Sequence, residues 1–388
     1  MSDGRDVVLF STADWATPYW TNKQHTAVHL EKLGYRVLYV ETIGLRAPML
    51  AARDVARMAR RLRDGLASPR RVSDGIWVLS PLALPLAQHV APVRALNQGL
   101  LGWRVRRFLK ANDMPAPLVW TYHPFVLEAC AQFAHRNLVY HCVDDLAAIP
   151  GVDRDVFERE ERRLLARADA VFATSRALHA KCSRHNANAH FFGNVADYEH
   201  FARARLAGAI PAELAALPQP RLAYVGVLSD FKVDFRLLLE AARMRPGWSW
   251  VLIGEEREGQ RSELVQALRG LPNVHILGYR PYAVLPDYLR GIDVGLIPSL
   301  INDYTRAMFP MKYFEYLAAG VPVIATPLDF TRGEPRCAVA ADAAALVARA
   351  EELLARGRLS EADSRQALAG NTWGDRLGAM LALIPQRA

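Results

Sequence analysis

The chain has 388 residues, of which 51% are hydrophobic and 23% charged, with a formal net charge of +8. This is an ordinary globular composition, long enough for roughly two to three domains each with its own core, and no apolar run approaches the roughly 20 residues a membrane span needs. Cys130, Cys142, Cys182 and Cys337 are widely spaced with no Cys-x-x-Cys. That spacing argues against a zinc site or a disulfide framework and suits a reducing cytoplasmic setting. The charged start Met1-Ser2-Asp3-Gly4-Arg5-Asp6 is expected not to be a signal peptide. The positive charge leaves anionic partners open, but no zinc finger, RNP sequence or helix-turn-helix is present, so no nucleic-acid partner is expected.

Apolar strand-like runs alternate with helical stretches from the start. Strands are predicted at residues 7–11, 36–41, 76–80, 118–122, 138–142, 170–174 and 190–193, with helices such as 24–33 and 155–166 between them. Residues 202–220 are rich in alanine and proline and read as a linker. A second series follows, with strands at 221–226, 248–254, 274–278, 294–297 and 322–325 and helices at 237–244, 260–268, 282–290, 311–319 and 341–357. The alternation predicts α/β architecture: two doubly wound, Rossmann-like domains with parallel sheets, over residues 1–205 and 219–372. Residues 373–388 form a last helix, expected to pack back on the first domain.

The most informative stretch runs from Pro310 to Thr326: a helix, a glycine stop at Gly320 and a buried strand. Lys312 and Glu315 stand at i and i+3 on one helical face, just after Pro310. A helix start presents unpaired N–H groups and partial positive charge. With a lysine for phosphates and a glutamate for a pair of sugar hydroxyls, the pattern fits a nucleotide diphosphate. A solvated ion pair on a packed helix would explain the periodicity, but not the fixed order of lysine, glutamate, Ala-Gly and proline-strand.

Pro-x-Lys-x-x-Glu-Tyr-x-Ala-Ala-Gly-x-Pro-Val, from Pro310 to Val323, resembles the nucleotide-sugar motif of GT-B glycosyltransferases. The resemblance implies the GT-B plan, two Rossmann-like domains facing each other across a cleft, over nearly the whole chain. It places donor contacts at Gly226, where the first strand of the second domain turns, and at Lys232. It adds Tyr279 and Arg280 at the base, and Tyr304 and Met311 near the sugar or diphosphate. Tight turns, a solvated lysine and loop packing are the plain alternatives. Many retaining relatives carry two glutamates separated by seven residues. Glu315 matches the second, and the first falls at Ala307, a departure that weakens a retaining assignment.

In the first domain, Val139-Tyr140-His141-Cys142-Val143-Asp144-Asp145-Leu146 reads as a strand ending in two acids. It is similar to the first domain of the xanthan-type membrane-associated glucuronosyltransferases, which implies Asp144 as the base for the acceptor hydroxyl. The same relatives carry Met-Lys at the donor helix, like Met311-Lys312, and an aspartate before Thr-Pro, like Asp14 before Thr17-Pro18. Asp144 and Asp145 have helix capping as the alternative. His123 reads equally as a sugar contact or a structural histidine, and His25 as an acceptor-side residue.

The expected donor is a nucleotide diphosphate sugar, UDP-linked; the expected acceptor is a glycan or a polyprenyl-diphosphate-linked sugar in surface polysaccharide assembly. No metal or other cofactor is required, since Lys312, helix N–H groups and Lys232 can offset the leaving charge. A retaining GT-B enzyme centred on His123 and a non-catalytic sugar-nucleotide-binding protein remain as alternatives. Two arginine-rich helical stretches suggest a peripheral contact with an anionic membrane. One is residues 50–66, with Arg53, Arg57, Arg60 and Arg61; the other is residues 97–110, with Trp103, Arg104, Arg106, Arg107 and Lys110 around Leu101, Val105 and Phe108.

Overall fold

Asp6–Phe10 forms β1, and all five residues are buried, as a central parallel strand must be when helices cover both faces of its sheet. The computed structural model describes residues 4–42, 67–81, 91–257 and 260–386. The arginine-rich stretch at 50–66 lies outside the described residues. The chain divides into two units, one of residues up to Phe192 together with those from Leu377 on, the other Gly193–Arg376.

The first unit holds an eight-stranded sheet in the order β3-β4-β2-β1-β5-β6-β7-β8. Its strands are β2 (Arg36–Val40), β3 (Arg70–Arg71), β4 (Ile76–Leu79), β5 (Leu118–Thr121), β6 (Asn137–Cys142), β7 (Ala170–Ala173) and β8 (Ala189–Phe191). Only β3 runs antiparallel, against β4. Val7, Leu9, Val37, Tyr39, Trp120 and Phe172 build the core, joined by Leu377 and Met380 from the helix Trp373–Ala382.

The second unit holds a parallel six-stranded sheet in the order β11-β10-β9-β12-β13-β14. These are β9 (Arg221–Val225), β10 (Ser249–Ile253), β11 (Val274–Ile276), β12 (Val294–Ile297), β13 (Val323–Ala325) and β14 (Cys337–Val339). The unit begins earlier than the sequence suggested. Residues 202–220 are not a free linker: they fold into short helical turns, including Ala212–Ala215, with Ala204 and Leu214 buried in the core. The Arg221 guanidinium fastens the stretch by donating to the carbonyls of Ala215 and Leu217 at 3.0 and 2.7 Å.

In each sheet the strand order reverses beside one strand. β1 lies between β2 and β5, and β9 between β10 and β12. Open α/β sheets bind ligands outside the carboxyl ends of strands at such a switch point. The residues that follow β1, β5, β9 and β12 are therefore the places to look.

Candidate active site

Gly226 follows β9, and here the first two turns of the second sheet touch. A Cβ on Gly254 would collide with the Gly226 carbonyl oxygen, so this closeness requires glycine. The next segment is stitched to the end of β12. The Leu300 N–H donates to the Lys232 carbonyl at 2.9 Å, and the Asn302 side chain donates to the Phe231 carbonyl at 2.8 Å. The stitch brings Lys232 and Tyr304 together. The ammonium lies 3.1 Å from the Tyr304 hydroxyl and 4.6 Å from its ring centre.

The helix Lys312–Ala318 follows, and Lys312 and Glu315 form an ion pair within it. Glu315 is 3% exposed, whereas the Lys312 side chain keeps 29% of its surface. A carboxylate removed from water needs such a partner. The helix is seated from below by Tyr316, whose hydroxyl accepts from the Val225 N–H at 3.0 Å and donates to the Ala223 carbonyl at 3.2 Å. Tyr316 can lie there because Gly295 has no side chain; a Cβ would stand 2.7 Å from its ring. Near Glu315, burial raises the Tyr282 hydroxyl pKa well above the ordinary value, with Glu315 and Asp197 adding to it. Tyr282 stacks on His200 at 4.3 Å. Neither residue stood out in the sequence.

Arg280 is otherwise engaged. Its guanidinium pairs with Glu213 at 2.6 Å and lies 5.5 Å over the Tyr288 ring, while a further N–H donates to the Tyr279 carbonyl at 2.9 Å. Ala307 is buried, and Met311 sits half-buried at the turn before Lys312. The Asn194 side chain donates to the Phe309 carbonyl at 2.5 Å, tying the start of the unit to the loop before the helix.

In the first unit, Asp144 follows β6, and its Oδ2 lies 3.7 Å from Lys23 Nζ. Lys23 opens the helix Asn22–Lys32, whose first residues Asn22 to Thr26 are polar yet buried. The alternative of helix capping does not hold for Asp145: the turn Leu146–Ala148 that it precedes receives no side-chain cap bond. Asp145 pairs with Lys181 instead, at 3.0 Å. Lys181 also lies 2.7 Å from buried Glu161, which accepts from the Tyr140 hydroxyl at 2.7 Å. Burial works against the Lys181 charge, but Glu161 and Asp145 outweigh it and hold its pKa above the usual lysine range.

His123 follows β5 and is 1% exposed. Its Nδ1 accepts from the Phe125 N–H at 3.1 Å. The neutral ring therefore carries its hydrogen on Nε2, which has no partner among the described residues. Burial pushes the His123 pKa down to about 3. His25 packs edge-on against Trp20 at 5.5 Å. Asp14 is half-buried, and its carbonyl accepts from Gln24 at 3.1 Å. Among the described residues, no group of three or more His, Cys, Asp or Glu side chains gathers as a metal site.

Residues 219–356 match the family model described as Glycosyl transferases group 1. The chain is 30% identical over 237 residues, 57% of its length, to TuaH of Bacillus subtilis (strain 168), a protein named for a glycosyltransferase role in teichuronic acid biosynthesis. The matched stretch spans 58% of that relative, so a good part of it has no counterpart in the alignment. Among solved structures, sucrose-phosphate synthase from Thermosynechococcus elongatus superposes with a TM-score of 0.70 at 17% identity, covering 98% of both chains. HepE from Anabaena, solved with UDP and glucose, gives 0.64 at 15% identity, covering 97% of this chain and 99% of its own.

The fold is thus that of the GT-B class, two doubly wound α/β units in one chain. Gly226, Lys232, Tyr304, Lys312 and Glu315 all fall within the stretch of the second unit that matches the Glycosyl transferases group 1 model.

Proposed function

We propose that the chain transfers a sugar from a nucleotide diphosphate donor, a UDP-sugar, to a hydroxyl of a glycan or polyprenyl-diphosphate-linked acceptor in surface polysaccharide assembly. The observation that carries this reading is the buried Glu315 carboxylate paired with the half-buried Lys312. Glu315 is the acceptor for the two ribose hydroxyls. Their arrival frees Lys312 for the diphosphate, with Lys232 as a second cation for the leaving charge. No metal is needed for this step. HepE, of the same fold, binds UDP, and TuaH supports the polysaccharide setting.

The transfer inverts the sugar, with Asp144 taking the acceptor proton. A retaining reading has one observation in its favour, the buried and unpartnered Nε2–H of His123. NMR of the product anomer separates the two.

The test of the donor reading is calorimetry with UDP and GDP on the wild type, Lys312→Ala and Glu315→Ala. UDP binding lost in both variants supports it, and unchanged affinity in both overturns it.

A further inference from the structure

We infer that Lys23 is an acceptor-binding catalytic residue, holding the acceptor oxygen against Asp144 and stabilising the charge that develops on it. The inference rests on the reading of Asp144 as the base.

Lys23 is placed as few lysines are. Its side chain is 7% exposed, and its ammonium stands 5.5 Å over the Tyr122 ring and 3.7 Å from Asp144 Oδ2. The ring beneath the ammonium is fixed. Tyr122 follows β5, and its hydroxyl donates to Thr26 at 2.7 Å and lies 3.1 Å from His141 Nδ1. Thr26 is on the same helix as Lys23, whose start is closed by a capping box between Thr21 and Gln24.

A lysine and a carboxylate in direct contact close to about 2.7–2.9 Å. The Lys23–Asp144 pair is wider, at 3.7 Å, and an oxygen set between the two groups would lie at hydrogen-bond distance from both. A hydroxyl in that place donates its proton to Asp144 and accepts from Lys23. During transfer, the hydroxyl proton passes to the Asp144 carboxylate. The oxygen lone pair forms the bond to the anomeric carbon, and the bond from that carbon to the diphosphate breaks, its electron pair leaving with the diphosphate. Lys23 holds the oxygen while its negative charge is greatest.

The experiment measures nucleoside diphosphate release from a panel of UDP- and GDP-sugars, with water alone and with octyl glycosides of glucose and N-acetylglucosamine as acceptor probes. Lys23→Met should slow release by about 10²- to 10³-fold, with UDP affinity and melting temperature nearly unchanged. Lys23→Arg should restore most of the rate. The double variant Lys23→Met/Asp144→Asn should be no slower than Asp144→Asn alone, because both residues act on one oxygen. Wild-type turnover in Lys23→Met beside a slow Asp144→Asn overturns the inference and leaves the base reading standing. Weakened UDP binding in Lys23→Met overturns it too, by moving the lysine to the donor. Wild-type turnover in Asp144→Asn removes the base reading and this inference with it. Release from no donor by the wild type removes the transferase reading itself.

Discussion

The Asp145 carboxylate lies 3.0 Å from the Lys181 ammonium and leaves the turn after it uncapped. The two acids at the end of β6 are therefore distinguished by their lysines, Asp144 beside Lys23 and Asp145 beside Lys181. Lys181 also neutralises Glu161, whose side chain is 3% exposed. Removing one partner of a buried pair costs about 3–5 kcal/mol. Lys181→Met should approach that range, because it strands Glu161. Asp145→Asn should cost about 1 kcal/mol, because Lys181 keeps Glu161. Urea denaturation of both variants checks the order, and equal losses would contradict it. Turnover in Asp145→Asn should also fall less than in Asp144→Asn.

Lys312 and Glu315 give the second prediction. Hydrogen bonds to charged groups are worth about 1.5–3 kcal/mol, so Glu315→Ala should weaken UDP binding by about ten- to hundred-fold. Lys312→Ala should do likewise, and should also lower the melting temperature, since it leaves a carboxylate in a site that excludes water. Lys312→Arg should keep the fold and lose part of the affinity, its broader fork fitting the Glu315 site less well. Calorimetry and thermal melts separate the two effects.

Most strands were legible because their residues are apolar without interruption, as in Val7–Phe10 and Val294–Ile297. The edge strand Cys337–Val339 was not, for three residues among small neighbours carry no period. Lys312 and Glu315 stand out in the sequence by their order along one segment, whereas Gly226 follows only from the resemblance. Lys23 and Lys181 do not stand out. Each sits in a polar helical stretch that reads as solvated, and only packing against Tyr122 or Glu161, far away in sequence, buries it. The one local hint was the run Asn22 to Thr26, a helix start with no apolar residue to explain its burial. Leu101, Val105 and Phe108, the apolar residues of the helix that the sequence offers to an anionic membrane, are all buried within the first unit. Their helical period was correct, and the surface that covers them is the protein's own.

His123 sets a pH dependence. Its pKa in the folded state is pushed down to about 3 by burial, against an ordinary value of about 6.5. The unfolded chain therefore binds the extra proton first as pH falls. The stability from the neutral, buried ring is complete above about pH 6.5 and is lost progressively between there and about pH 3, by at most about 1.4 kcal/mol per pH unit. His123→Gln should be less stable than the wild type near pH 7.5 and should show a shallower decline between pH 6 and 4. Denaturant midpoints across that range test it; parallel curves for the two proteins would show that this ring does not carry the dependence.

The helix Ala91–Ala111 supplies the last prediction. With Leu101, Val105 and Phe108 turned inward, its outer side presents Leu96 at 51% and Trp103 at 46% exposure, followed by exposed Arg106, Arg107 and Lys110. Arg107 lies 5.7 Å over the Trp103 ring. Arg104 is not part of this face: it is half-buried and donates to the Ser80 carbonyl at 2.7 Å. No helix among the described residues is long and apolar enough to cross a membrane. An amphipathic aromatic beside three cations instead suits the surface of an anionic bilayer, where each basic residue contributes about 1 kcal/mol and Trp settles at the headgroup level. Vesicles containing phosphatidylglycerol should therefore co-sediment the protein at low salt and release it as ionic strength rises. Replacing Arg106, Arg107 and Lys110 with Glu should abolish the sedimentation, and Trp103→Ser should weaken it at every salt concentration. Sedimentation that survives the triple replacement would move the contact elsewhere on the chain, and none at low salt would remove it.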